Sequence, residues 1–121
     1  MDAPETMDQP ALNAVPRAES RLSPRGLECL RRLAQTYVWW KTPKEAMRFP
    51  ARVAAQVMNL GTWDDLTAVV EDVGEPYLRQ VLQNAEAGQL DARSWHYWHY
   101  RLGLAEYPKN PVPPMPVRRT A

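Results

Sequence analysis

His96 and His99 stand three residues apart, Asp64 and Asp65 are adjacent, and Cys29 is the one thiol; these are the groups whose types and spacing could do chemistry. Two imidazoles can share a metal ion. Positions three apart on a helix, however, fall about 60° short of a full turn, and no nearby Cys or third His completes a ligand set. Asp64 and Asp65 fall in the first turn of an expected helix, where their charge complements the positive end of its dipole without any catalytic role. Cys29 lies beside Leu27, Leu30 and Leu33 in an apolar pattern and reads as a small buried hydrophobe, and a single Cys excludes an internal disulfide. Gly26, Gly61, Gly74, Gly88 and Gly103 all stand alone, so no phosphate-cradling loop or dinucleotide fingerprint is present, and no nucleophile motif occurs. The chain therefore reads as non-enzymatic, with no cofactor and no metal.

What remains is the run Trp95, His96, Tyr97, Trp98, His99, Tyr100 and Arg101, six rings on barely two helical turns. At about 100° per residue, Trp95, Trp98 and Leu102 share one stripe with His99 at its margin, while Arg93, His96, Tyr97, Tyr100 and Arg101 point broadly the other way. One side of a helix cannot bury all of these rings. Tyr and Arg facing outward match the composition of protein interfaces, because each joins a large contact area to a polar or charged end that tolerates water before a partner arrives.

The elements that must position this run are nearly all helical. Ser23 followed by Pro24 is an N-cap with proline at the first helical position, and Leu27, Leu30, Leu33, Ala34, Tyr37 and Val38 follow at steps of three and four. Thr42, Pro43 and Glu45 start a short helix of the capping-box type that Phe49 and Pro50 interrupt. Val53, Val57, Met58 and Leu60 make a stripe closed by Gly61, which suits the left-handed position after a helix. Thr62 with Asp65 caps the next helix, ending at Gly74. Tyr77, Leu78, Val81, Leu82 and Ala85 mark another, ending at Gly88, and Asp91 caps the aromatic helix that Gly103 stops. The expected fold class is all-α, a compact bundle of five to six short helices with disordered or extended N-terminal and Pro-rich C-terminal tails. The domain reading is a mobile tail over 1–22, a helical domain over 23–106 and a Pro-rich tail over 107–121.

Trp39, Trp40 and Trp63 read mainly as core and inter-helix spacers, with one of the adjacent pair at least partly exposed. In the C-terminal tail, Val112 and Met115 are apolar points and Arg118 and Arg119 close the segment. A proline-rich segment is pre-extended and loses little entropy on docking, so these four residues join Arg93, His96, Tyr97, Tyr100 and Arg101 as candidate partner contacts.

The formal net charge is +1, which argues against strong nonspecific binding to nucleic acid. Charge is unevenly spread all the same: Arg17, Arg21, Arg25, Arg31 and Arg32 make residues 17–32 basic, while Asp64, Asp65, Glu71, Asp72, Glu75, Glu86 and Asp91 make 62–91 acidic. These are ordinary solvated faces or a field that steers a basic partner. No apolar run approaches the roughly 20 residues that span a bilayer and the N-terminus lacks signal-peptide character, so the expected compartment is cytoplasmic.

From 49 to 104 the order of features resembles that of small, mostly uncharacterised bacterial proteins encoded beside AbiEii-type nucleotidyltransferase toxins. The likeness rests on Leu60, Gly61, Thr62, Trp63, Asp64, Asp65 and Leu66, then Val73, Gly74, Glu75, Pro76, Tyr77, Leu78, Val81 and Leu82, then Leu90, Asp91, Trp95, Trp98, Leu102, Gly103 and Leu104. It covers about half of the chain, is punctuation more than chemistry, and supplies no catalytic residues. It implies an antitoxin-like protein that binds and restrains a nucleotidyltransferase partner in a toxin-antitoxin operon. The competing class is a small nucleic-acid-binding regulator, of operator or RNA, using the basic segment from Arg17 to Arg32 and stacking on exposed rings.

Overall fold

A computed structural model describes residues 21–118, so nearly all of the expected 1–22 tail lies outside the described residues, as do Arg17 and Arg119. Among the described residues the chain is all-α, with six helices: α1 Pro24–Tyr37, α2 Pro43–Ala46, α3 Pro50–Leu60, α4 Trp63–Asp72, α5 Glu75–Gln83 and α6 Ala92–Arg101. The capping residues act as their spacing implies. Side chains of Ser23, Thr62 and Asp91 accept the backbone N–H of Gly26, Asp65 and Ser94 at 3.0, 3.2 and 2.8 Å. Thr42 and Glu45 form the reciprocal capping box, and the N–H of Thr42 donating to Glu45 holds that carboxyl below its ordinary range.

Gly61 departs from expectation. Its backbone is extended, at φ −67°, and not left-handed. A Cβ there would lie 2.6 Å from the carbonyl oxygen of Val57, in the last turn of α3 itself, and 3.0 Å from Leu66 Cδ2 of α4, so crowding by the helix end first and by α4 second is what requires glycine. Gly74, at φ 95°, does turn the chain at positive φ, between α4 and α5, as Gly88 and Gly103 do further along.

Helix α3 is the centre of the bundle, packed against α1, α4, α5 and α6. Its Val53, Ala54, Ala55, Val57 and Met58 are all buried, and the two alanines let neighbouring helices come close. Around it gather Leu30 and Leu33 from α1, Val69 from α4, Leu78 and Leu82 from α5, and Trp95 and Trp98 from α6. Cys29 is part of this core as a small apolar residue, and burial first, then the nearby Asp72 charge, pushes its thiol up, away from a reactive thiolate.

The expectation that Trp39, Trp40 and Trp63 are mainly core is corrected. They are 74%, 55% and 70% exposed. Val38 closes α1, so Trp39 and Trp40 fall in the turn before α2, ring edge to ring face with centroids 5.8 Å apart. Trp63 is the first residue of α4, one turn ahead of the point where Leu66 and Val69 meet the core.

At the end of α1, the Tyr37 hydroxyl donates to Asp65 Oδ2 at 2.6 Å and accepts the Thr62 N–H at 3.2 Å, tying α1 to the start of α4. Burial first, and the bond to Asp65 second, raise its pKa. A raised folded pKa means that the contribution is complete below the ordinary tyrosine value near 10 and is lost as pH climbs through the folded value. Tyr37→Phe should cost about 1–2 kcal/mol in urea unfolding at neutral pH. The gap between the two proteins should close above about pH 10, and a gap that stays constant with pH would show that the hydroxyl is not the source.

Candidate protein-binding groove

The carbonyl end of α3 leaves backbone acceptors without helical partners, and α6 supplies donors for them. The buried indole N–H of Trp98 donates to the carbonyl of Met58 at 2.8 Å, and the hydroxyl of Ser94 donates to the carbonyl of Asn59 at 3.3 Å. The N–H of Asp91 donates to the Asn59 side chain at 2.9 Å. These bonds dock the first two turns of α6 across the end of α3, beside the start of α4. Where the three helices converge, two adjoining cavities open, of about 450 and 210 Å³.

Trp63, Leu66, Tyr97 and Trp98 line both cavities, which makes them one continuous groove. Its floor is apolar, with buried Trp98 and half-buried Leu66. Its walls are the exposed ring of Trp63 and the ring of Tyr97, 39% exposed and standing edge-on to Trp98 with centroids 5.1 Å apart. Asp91 and Arg93 flank the larger cavity, and Glu71 and Arg101 the smaller. Arg101 is held by Glu75 at 2.8 Å, an exposed pair that fixes its position more than it adds stability.

All five candidates on the aromatic helix are exposed: Arg93, His96, Tyr97, Tyr100 and Arg101. Arg93, Tyr97 and Arg101 line the groove, while His96 and Tyr100 stand outside it on the same outer face. The two histidines do not meet over a shared site. His96 is exposed and its Nδ1–H donates to the Ala92 carbonyl at 2.8 Å; His99 is buried and its Nδ1–H donates to the Trp95 carbonyl at 2.8 Å. Sequence reasoning missed Trp63 as a groove wall, although its place directly after an N-cap was a signal that it opens a helix ahead of the packed turns.

The proline-rich segment lies against the helices. Val112 and Met115 pack partly buried against the domain's own core, so part of the apolar surface expected to meet a partner is taken up within the chain. After α6, Glu106 and Asn110 exchange backbone hydrogen bonds at 2.7 Å each and reverse the chain. The segment then crosses α5 and α6 on the side opposite the groove, where the indole N–H of Trp95 donates to the carbonyl of Pro113 at 2.8 Å. Prolines have no N–H to offer, so an outside donor on their carbonyls is how such segments are held. Arg118 is exposed beyond this anchor.

Comparison with protein-family models, with curated proteins and with solved structures finds no match.

Trp95→Phe keeps most of the ring and deletes the donor to Pro113. It should cost about 1 kcal/mol and speed amide exchange and proteolysis in residues 107–118, with the helices unaffected. Exchange at the same rate as in the parent would show that Val112 and Met115 hold the segment unaided.

Proposed function

We propose that the chain is a non-enzymatic protein-binding module, an antitoxin-like partner that binds and restrains a nucleotidyltransferase encoded alongside it, in the cytoplasm. The observation that carries the binding role is the groove between α4 and α6, where Trp63 and Tyr97 stand exposed over an apolar floor. Large aromatic rings left in water beside charged residues form the composition of an interface anchor with a polar rim. The floor is fixed by the bonds from α6 to α3, so a partner side chain entering the groove meets a formed surface and less ordering entropy opposes binding. Among the described residues no helix is long and apolar enough to cross a membrane. The nucleotidyltransferase as the partner comes from the likeness in helix punctuation between 49 and 104.

Co-expression of the full chain with the neighbouring nucleotidyltransferase tests this reading, with a single co-eluting complex as the expected result. Trp63→Ala and the pair Tyr97→Ala with Tyr100→Ala should leave the circular dichroism spectrum intact and weaken the complex by about 2 kcal/mol or more. A complex that both variants leave unchanged would move the interface off the groove, and failure of the two proteins to associate would remove the proposed partner.

A further inference from the structure

The opposite end of α3 carries a second surface, built from rings and cations. Beside exposed Trp39 and Trp40 lies Phe49, itself half exposed, with the guanidinium of Arg52 over its ring at 4.5 Å from the centroid. Phe49 and Arg52 line two neighbouring cavities, of about 420 and 200 Å³, and Gln89 lines both as well. Trp40 and Lys41 border the smaller one; Arg48, Tyr77, Gln80 and Asn84 border the larger.

Cations outnumber acids on this surface. Among the described residues Lys41, Lys44 and Arg48 form no ion pair, and Arg52 reaches Glu86 at a loose 3.6 Å with both side chains more than half exposed. The other nearby acid, Glu45, accepts the backbone N–H and hydroxyl of Thr42 on one oxygen and stays ionised, so four cations stand against two carboxylates here. The N-terminal end of α3, with no side-chain cap on Phe49, adds its partial positive charge at the same place. One polar atom also lacks a partner: Gln80 Oε1 is buried and accepts no hydrogen bond among the described residues.

Flat exposed rings suit bases and cations suit phosphates. We infer that this cleft binds single-stranded nucleic acid, with phosphates on Lys41, Arg48 and Arg52 and stacking on Trp40 and Phe49. A duplex does not match it, since α2, the helix that follows Trp40 and Lys41, has four residues and no face to lay in a groove. An anionic bilayer would be served by rings and cations alone, whereas this surface is concave and lined by the amides of Gln80, Asn84 and Gln89. The inference is independent of the protein partner, because the two surfaces share no residue.

The test is fluorescence anisotropy with the full chain and labelled single-stranded RNA and DNA of about 12 nucleotides, in about 50 mM salt. Saturable binding is expected, with log affinity falling against log salt at a slope of about −2 to −3, as for three or four phosphate contacts on a single strand. The duplex of the same sequence should bind at least about tenfold more weakly, as should Trp40→Ala and the pair Arg48→Ala with Arg52→Ala toward the single strand. Glu86→Gln, which frees Arg52, should tighten binding, and Trp63→Ala at the far end should not change it. The inference is overturned by no saturable binding to either strand, by equal binding to duplex, by indifference to Trp40→Ala and the arginine pair, or by phosphatidylserine vesicles competing the oligonucleotide away at the same surface.

Discussion

Everything that positions the groove depends on how the carbonyl end of α3 is satisfied. A helix end buried without partners for its last carbonyls would cost about 1–3 kcal/mol for each one left unmade. Here Trp98 and Ser94 provide the donors from α6, some 40 and 35 residues further along the chain. The indole does two things at once: its ring fills the core and its N–H closes the polar account of α3. Phenylalanine at this position could do only the first. The register of α6 on the bundle is thereby set by a directional bond as well as by nonspecific apolar contact, which decides which of its rings face inward.

That register explains why so many aromatic residues can sit in one short helix without defeating the fold. With Trp98 turned onto Met58, Trp95 turns to the other flank of α6 and binds the proline segment, and His99 is enclosed with its Nδ1–H spent on the carbonyl one turn back. Tyr97, Tyr100 and Arg101 are left outside by the same rotation. Their exposure is thus a geometric consequence of the inward bonds. Moving any one of them inward by turning the helix would require Trp98 to give up its partner, so the side of α6 on which Tyr97 stands is set by the core beneath it.

Much of this was legible in the sequence because local signals and tertiary needs agree. Ser23, Thr42, Thr62 and Asp91 cap the helices that their spacing announces, and the split of the aromatic helix into inner and outer stripes follows from the angle per residue alone. The misreadings share a different cause. Trp39, Trp40 and Trp63 looked internal because their type prefers burial, but they sit in a turn and at a helix start, where the backbone does not aim side chains at the core. Gly61 looked like a left-handed cap because it follows a helix, and only the distance to Val57 and Leu66 reveals a contact constraint. Val112 and Met115 looked free because prolines surround them; that Trp95 would hold Pro113 between them is a fact of tertiary register, which no local pattern carries.

Helix α3 gives the two exposed surfaces a common mount and keeps them apart. Its last residues border the groove and its first border the cationic cleft, so its 11 residues hold the two about 16 Å apart along one axis. The ends differ electrically. At the N-terminus the unpaired N–H charge reinforces Arg48 and Arg52, while at the C-terminus the donors of α6 neutralise the carbonyls and leave an apolar floor. One buried helix therefore presents an anion-seeking end and an apolar, aromatic end, and because its middle is packed on four other helices, a ligand at one end cannot displace the other without breaking the core. Simultaneous occupancy, with little energetic coupling between the surfaces, is the behaviour that this construction favours.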